Sequence, residues 1–230
     1  LEETLLSLAN QTYKNFEVIV VDGKSSDNTL KIINKYKSLI SYCVSESDKG
    51  IYDAFNKGIK LSIGKYVGVV NSDDFLMPNA LEILDRYDNE NPKIDFIFGS
   101  VKKHWGVLYG YNPKKIKYSW GFYSSHSTGF YIKKKSAEKI GNYNLRFKYH
   151  ADYDYFYRMI VHNKMVGIGT KKDEIFGVFR RGGYSSRISF RKKFLEENLI
   201  RIHNKQNILF VLILAFYKFI KNFRQILKNK

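Results

Sequence analysis

Leucines at positions 1, 5 and 8 recur at helical spacing, so the chain opens inside a helix. The run over 16–21, F-E-V-I-V-V, is short and rich in β-branched residues, and it predicts a buried strand ending at Asp22-Gly23. Ser25, Ser26 and Asp27 are side chains that start helices, and a helix over 29–36 follows. Residues 40–44 predict a second strand with Cys43 buried in it. Gly50 then leads into a helix carrying Ile51, Ala54, Phe55 and Ile59. The segment 66–70 predicts a third buried strand that runs directly into Asn71-Ser72-Asp73-Asp74, followed by a helix over 79–87 and a strand over 94–98. Strands and helices alternating at this pace predict an α/β fold with an open, mostly parallel sheet flanked by helices. Such sheets bind ligands beyond the carboxyl ends of their strands. Asp22 and the 71–74 cluster both fall there.

Past residue 100 the alternation loosens. A strand is predicted over 129–133, helices over 135–140 and 152–162, and a strand over 174–179. That strand empties into a basic, glycine-bearing loop over 180–186. Residues 208–217 are apolar without a break, and Lys218, Lys221, Arg224 and Lys228 fall near one helical face below them. Ten apolar residues are too few to cross a bilayer, which takes about 20. The pattern suits a helix lying on a membrane surface, and equally a helix packed on the domain or on a partner subunit. The division that follows is a domain over 1–190 and a basic amphipathic tail over 191–230.

Composition narrows the chemistry. With 230 residues and 44% hydrophobic content the chain can bury a full core. The 18 tyrosines suit half-wet surfaces that hold polar ligands. Of the net charge of +17, residues 181–230 supply +10, from twelve Lys and Arg against Glu196 and Glu197. A nucleic-acid binder would interleave its cations with aromatics on a sheet face, whereas here they gather in the tail. The single cysteine permits no internal disulfide, and no secretory leader is visible, so a cytoplasmic setting is expected. No G-x-G-x-x-G follows a strand, which argues against a dehydrogenase.

Three acidic positions carry candidate chemistry. Adjacent carboxylates at Asp73 and Asp74, at a buried strand's end, repel unless a cation joins them. Mg²⁺ or Mn²⁺ would suit their hard oxygens and bridge to a diphosphate; a polar turn capping the next helix would use the same residues. Asp22 can accept hydrogen bonds from a base or ribose edge, or serve an ordinary strand-to-helix turn. Asp152 opens a helix among aromatics, where a partly desolvated carboxylate makes a general base or simply a cap.

The order of these motifs resembles the family 2 glycosyltransferases. Gln11-Thr12-Tyr13, then Glu17 to Asp22-Gly23-x-Ser25-x-Asp27-x-Thr29, resembles the family's opening. The stretch over 45–59, S-E-S-D-K-G-I-Y-D-A-F-N-K-G-I, resembles a subgroup associated with bacterial cell-surface polysaccharides, and Gly64-Lys65-Tyr66 and the 71–74 cluster follow in family order. The likeness covers roughly residues 1–190. It implies a GT-A fold, a Rossmann-like sheet that binds a nucleotide sugar and a divalent metal. The family's first strand would precede Leu1. The resemblance makes Asp22 the nucleoside contact, Asp73 the metal ligand with Asp74 and Asn71 beside it, and Asp152 the catalytic base. Asp48, Lys49 and Asn56 are further donor-side candidates. Arg180 or Arg181 would help hold phosphate, the 182–185 loop would border the acceptor, and His126 would line its pocket. Asn71 stands where many relatives carry Asp, which places more of the metal binding on Asp73.

The function expected is inverting transfer of a hexosyl or N-acetylhexosaminyl group. The donor is a nucleotide sugar, with a UDP-sugar as default. The acceptor is a hydroxyl of a lipid-linked glycan, met at the inner face of the plasma membrane through the anionic membrane surface. The alternatives are a non-catalytic relative that binds nucleotide sugars and, more distantly, a basic nucleic-acid-binding protein.

Overall fold

The computed structural model describes residues 1–119, 122–123, 127–180 and 188–223. The first half follows the expected alternation. Helix α1 (Glu2–Ala9) precedes strand β1 (Ile19–Asp22), α2 (Thr29–Lys35), β2 (Tyr42–Ser45), α3 (Ile51–Leu61) and β3 (Tyr66–Gly68). Then come β4 (Phe75–Leu76), α4 (Ala80–Glu90), β5 (Phe96–Phe98), β6 (Ser100–Lys103) and β7 (Gly106–Leu108). The remainder holds β8 (Phe130–Lys133), α5 (Lys134–Ile140), α6 (Ala151–Tyr157), β9 (Gly167–Gly169) and β10 (Ile175–Val178). Two longer helices follow, α7 (Phe190–His203) and α8 (Ile208–Lys221). The helix predicted over 152–162 is α6 running into a wider π-turn at Arg158–His162.

The fold is α/β, with mixed strand pairing. β1 pairs parallel with β2, β5 with β9, and β6 with β10, while β8 runs antiparallel between β3 and β5, and β4 and β7 pair antiparallel with β10 and β6. The antiparallel partners are brief and come largely from the stretch after residue 98, where hydrophobic periodicity is too short to read. Strand alternation covers both faces of the sheet. Phe96 and Phe98 on one face of β5 join Phe130 and Phe156 in an aromatic cluster, while Ile97 on the other packs with Tyr131, Phe176 and α4. Phe130 and Phe156 meet edge to face at 4.8 Å, a favoured arrangement for aromatic quadrupoles.

One expectation is overturned. Cys43 is exposed, because among the described residues β2 pairs only with β1 and is little covered on either face, so that Tyr42 and Cys43 are both open. An apolar run reads alike on an edge strand and a central one, so sequence did not separate the two.

Candidate active site

Strand ends place the acidic residues. In the β1–β2 pair Asp22 lies opposite Ser45. The buried Asp22 carboxylate accepts hydrogen bonds from the hydroxyls of Ser25 and Ser45, each at 2.5 Å, and from the Ser25 amide at 3.1 Å. Burial works against its charge, but those donors win and hold its pKa below the ordinary carboxylate value. Asp22 is thus an anion tightly fastened to its loop.

The 45–52 segment runs from Asp22 toward Asp152. A Cβ on Gly23 would fall 2.7 Å from Asp48 Oδ2, so the two loops approach closely here and a larger residue would push the Asp48 carboxylate aside. Asp48 in turn accepts the Gly50 amide at 2.9 Å. Gly50 has φ +113°, a conformation that side chains disfavour, and it starts α3. One turn into that helix, the Tyr52 hydroxyl donates to Asp152 Oδ1 at 3.3 Å and lies equally near the Tyr149 carbonyl. The Tyr153 amide also reaches Asp152 Oδ1, at 2.9 Å. Among the described residues Oδ2 has no donor. Burial first, then the Asp152 charge, pushes the phenols of Tyr52 and Tyr123 up, so both remain protonated donors.

The metal motif divides its labour. The Asp74 carboxylate is buried and occupied. It accepts from the Thr128 hydroxyl at 2.8 Å, from the Arg180 amide at 3.1 Å and from the Asn71 amide at 3.3 Å. Burial, with the Asp73 charge alongside, raises its pKa despite these donors. On the backbone side the Thr4 hydroxyl donates to the Asp74 carbonyl at 2.7 Å, so α1 clamps the turn. Asp73 is exposed and makes no hydrogen bond among the described residues. It borders a cavity of about 640 Å³ together with Ser72, Lys35, Tyr36, Arg180 and the first turn of α1. Neither Asp22 nor Asp152 lines that cavity. Asn71 donates to Asp74 and, at 3.1 Å, to Ser127, which leaves its carbonyl oxygen unengaged.

Contacts run between neighbouring parts of these loops. The 45–52 segment touches Gly23 through Asp48 and Asp152 through Tyr52. Ser127 and Thr128 bond the metal motif, and Tyr123 is close enough to feel the Asp152 charge.

Other expected contacts take different forms. Asn56 bonds both polar groups of Tyr143, accepting its amide at 2.8 Å and donating to its carbonyl at 3.0 Å, so its amide braces the fold. The Lys49 amide bonds Asp53 at 3.0 Å while its side chain is exposed. Arg180 pairs with Glu3 and lies over the Phe75 ring. Arg181, the 182–185 loop and His126 lie outside the described residues. No group of three or more His, Cys, Asp or Glu side chains gathers as a metal site among the described residues. Residues unremarked in the sequence also matter here: Tyr52, Ser45, Thr128, and the half-buried Lys103, whose ammonium lies 4.5 Å from the Phe179 ring and within electrostatic reach of Asp74. Tyr52 and Ser45 carried a signal, their place in the 45–59 motif, but the spacing of Tyr52 to Phe55 reads as core.

Comparison with known proteins bears on the family and the fold. An uncharacterised glycosyltransferase of Methanocaldococcus jannaschii is 27% identical over 207 residues, covering 84% of this chain and 71% of that one. The solved structure of Staphylococcus aureus TarS with UDP superposes with a TM-score of 0.68 at 20% identity, over 87% of this chain and 60% of that one. A mannosyltransferase of Pyrobaculum calidifontis, solved with GDP-mannose and Mn²⁺, gives 0.61 at 18% identity, over 96% and 60%. This chain thus spans about 60% of either solved neighbour, and the likeness shows a shared GT-A fold. The family model for glycosyl transferase family 2 matches residues 1–156, from α1 through the turn that carries Asp152 into α6, and the chain belongs to that family.

Proposed function

We propose that the protein transfers a hexosyl or N-acetylhexosaminyl group from a nucleotide sugar, with inversion, to a hydroxyl of a lipid-linked glycan in surface-polysaccharide assembly. The observation that carries this reading is Asp152: half-buried, one oxygen held by Tyr52 and an amide, the other open. The open oxygen takes the proton of the acceptor hydroxyl as that hydroxyl attacks the anomeric carbon from the face opposite the departing diphosphate. The Tyr52 donor orients the carboxylate. Asp22 accepts the nucleoside edge, its own position fixed by Ser25 and Ser45. Asp48 and Lys49 border the donor from the 45–52 segment.

The oxygen donors around Asp73 fit a hard divalent cation in kind. Asp73 would hold it, with the Asn71 carbonyl oxygen beside it and Asp74 bracing the turn. When bound, Mg²⁺ or Mn²⁺ neutralises charge developing on the leaving diphosphate. UDP and GDP-mannose in the solved neighbours support a nucleotide-sugar donor here, with a UDP-sugar as first choice.

The outward face of α8 supports an acceptor met at the inner face of the plasma membrane. No described helix is long and apolar enough to cross a bilayer. Val211 and Leu214 are buried, while Leu209, Leu212, Ile213 and Phe216 are each at least 58% exposed. That outward face, on the segment carrying +10, suits an anionic lipid surface. A second copy would bring the same charge against it.

The test is nucleotide release from UDP-glucose, UDP-N-acetylglucosamine and GDP-mannose with Mg²⁺ or Mn²⁺ and membrane extract. Asp152→Asn should lower release roughly 10²–10⁴-fold, the usual worth of base catalysis, with donor affinity unchanged. Undiminished release by that variant would remove Asp152 from the reaction, whereas donor binding with no release by the unaltered chain would make a non-catalytic donor-binding relative the better account.

A further inference from the structure

We infer that Glu196, on α7 and 44 positions beyond Asp152 in the chain, is a positioning residue for the catalytic carboxylate; this rests on the reading of Asp152 as base. Glu196 is buried, at 8% exposure, and faces the turn that leads into α6. Its Oε1 accepts the amides of Tyr149 at 2.6 Å and His150 at 2.7 Å, and its Oε2 accepts the amide of Lys148 at 2.8 Å. Three consecutive peptide N–H groups therefore converge on one carboxylate from a different helix. The His150 side chain, at the start of α6, caps nothing. Without Glu196 those amides would lose their partner in a part-buried setting, at some desolvation cost for each donor that water does not reach.

The connection to Asp152 is specific. The Tyr149 peptide is held at both ends: its N–H by Glu196 and its carbonyl by the Tyr52 hydroxyl at 3.3 Å. That same hydroxyl reaches Asp152 Oδ1 at 3.3 Å. Glu196 thus sets where the Tyr149 carbonyl sits, and the carbonyl shares the phenol that orients the base. Elsewhere α7 and α6 are joined by the Asn204 amide, which donates to the buried Asp154 at 2.8 Å, so α6 keeps a second anchor when Glu196 is changed.

The role therefore separates from folding. Glu196→Ala and Glu196→Gln are compared in the full chain, alone and combined with Asp152→Asn, by amide exchange over residues 148–153, donor affinity, and nucleotide release from the same sugar panel. Glu196→Ala should speed exchange at 148–150 at least tenfold and lower kcat about tenfold or more, since a displacement on the order of 1 Å can cost 10²-fold in rate. Donor affinity should be unchanged. Glu196→Gln, which keeps one carbonyl oxygen for Tyr149 and His150, should recover most of the loss. In the Asp152→Asn background, removing Glu196 should cost nothing further, because it acts through the carboxylate already gone. Unchanged exchange in Glu196→Ala, or an equal loss in both backgrounds, would overturn the proposal. Undiminished release by Asp152→Asn alone would instead overturn the base, and the two failures are read from different variants.

Discussion

The junction of α7, α8 and the turn at Pro113–Tyr118 holds a one-sided charge cluster, and its removal is predicted to be asymmetric. Glu197 faces two cations. Lys218 Nζ lies 2.5 and 2.6 Å from its two oxygens, and Arg201 Nη2 lies 2.8 Å from Oε1, with the Ser119 hydroxyl also bonded there. The side chains are 13%, 20% and 1% exposed for Glu197, Lys218 and Arg201. One carboxylate serving two ammonium-type groups gains more than either gives. Burial opposes its charge, yet Lys218, Ser119 and Arg201 together hold the Glu197 pKa below the ordinary value. Lys218 shows the reverse, because burial outweighs its share of Glu197 and lowers its pKa. Glu197→Ala leaves Arg201 buried without its counter-charge, though still bonded to the Lys117 carbonyl and Gln206. Breaking a buried pair costs about 3–5 kcal/mol, and the remaining bonds put the expectation near ~3 kcal/mol. At roughly 2–4 °C per kcal/mol for a chain this long, Tm should fall about 6–12 °C. Lys218→Met removes the less buried of the two cations, leaves Glu197 paired with Arg201, and should shift stability by less than about 1 kcal/mol. The depressed Glu197 pKa means that its contribution is present above about 4.5 and is lost as pH falls through the folded value. The gap between wild type and Glu197→Ala should therefore close in acid. Thermal melts followed by circular dichroism from pH 7 to pH 3 measure all of this. Equal losses in the two variants, or a Glu197→Ala melt within 2 °C of wild type, would refute the reasoning.

Asp73→Asn and Asp74→Asn should separate chemistry from scaffold. The first should raise the Mn²⁺ needed for half-maximal release at least tenfold with Tm unchanged. The second, which puts an amide where Thr128 and the Arg180 amide donate, should lower Tm by several degrees, at a cost of about 1–3 kcal/mol read by calorimetry. Flotation with vesicles of 30% anionic lipid should carry the full chain upward. Leu212→Glu with Phe216→Glu should abolish this while leaving release from a soluble acceptor intact, and flotation retained by that variant would remove α8 from the membrane reading.

How much of this could be read from the chain varied with segment length. Through residue 98 the strands and helices followed their hydrophobic periods, apart from two-residue β4; Asp22 came to a strand end as expected, while β3 stops at Gly68 and Asp73 lies in the turn before β4. β6, β7 and β9 were missed because each is only three or four residues long, β6 mostly polar and β7 and β9 holding glycine, so neither period is established. Asp73 and Asp74 are chemically alike and adjacent, yet one is free and one is a buried acceptor for three groups. That difference arises from Thr4, Thr128 and Arg180, residues 70, 54 and 106 positions away from Asp74. Asn56 is a similar case, since its partner Tyr143 is 87 residues distant. The Tyr52–Asp152 contact spans 100 residues and could not be anticipated from local pattern, although both residues sit in stretches the family resemblance had marked.

Glu196 and Glu197 are neighbours about 100° apart around α7, and each has a separate set of fixed partners. The first grips the turn before α6; the second grips α8. A rotation of α7 by a single residue would break both grips at once, so its phase is locked from two sides. Deleting one residue between Phe190 and Phe194 should be absorbed upstream, whereas deleting one between Ile200 and Asn207 should re-aim α8 while leaving the base turn seated. The helix is thus a keyed shaft, and what can be altered along it depends on which side of the key the alteration falls.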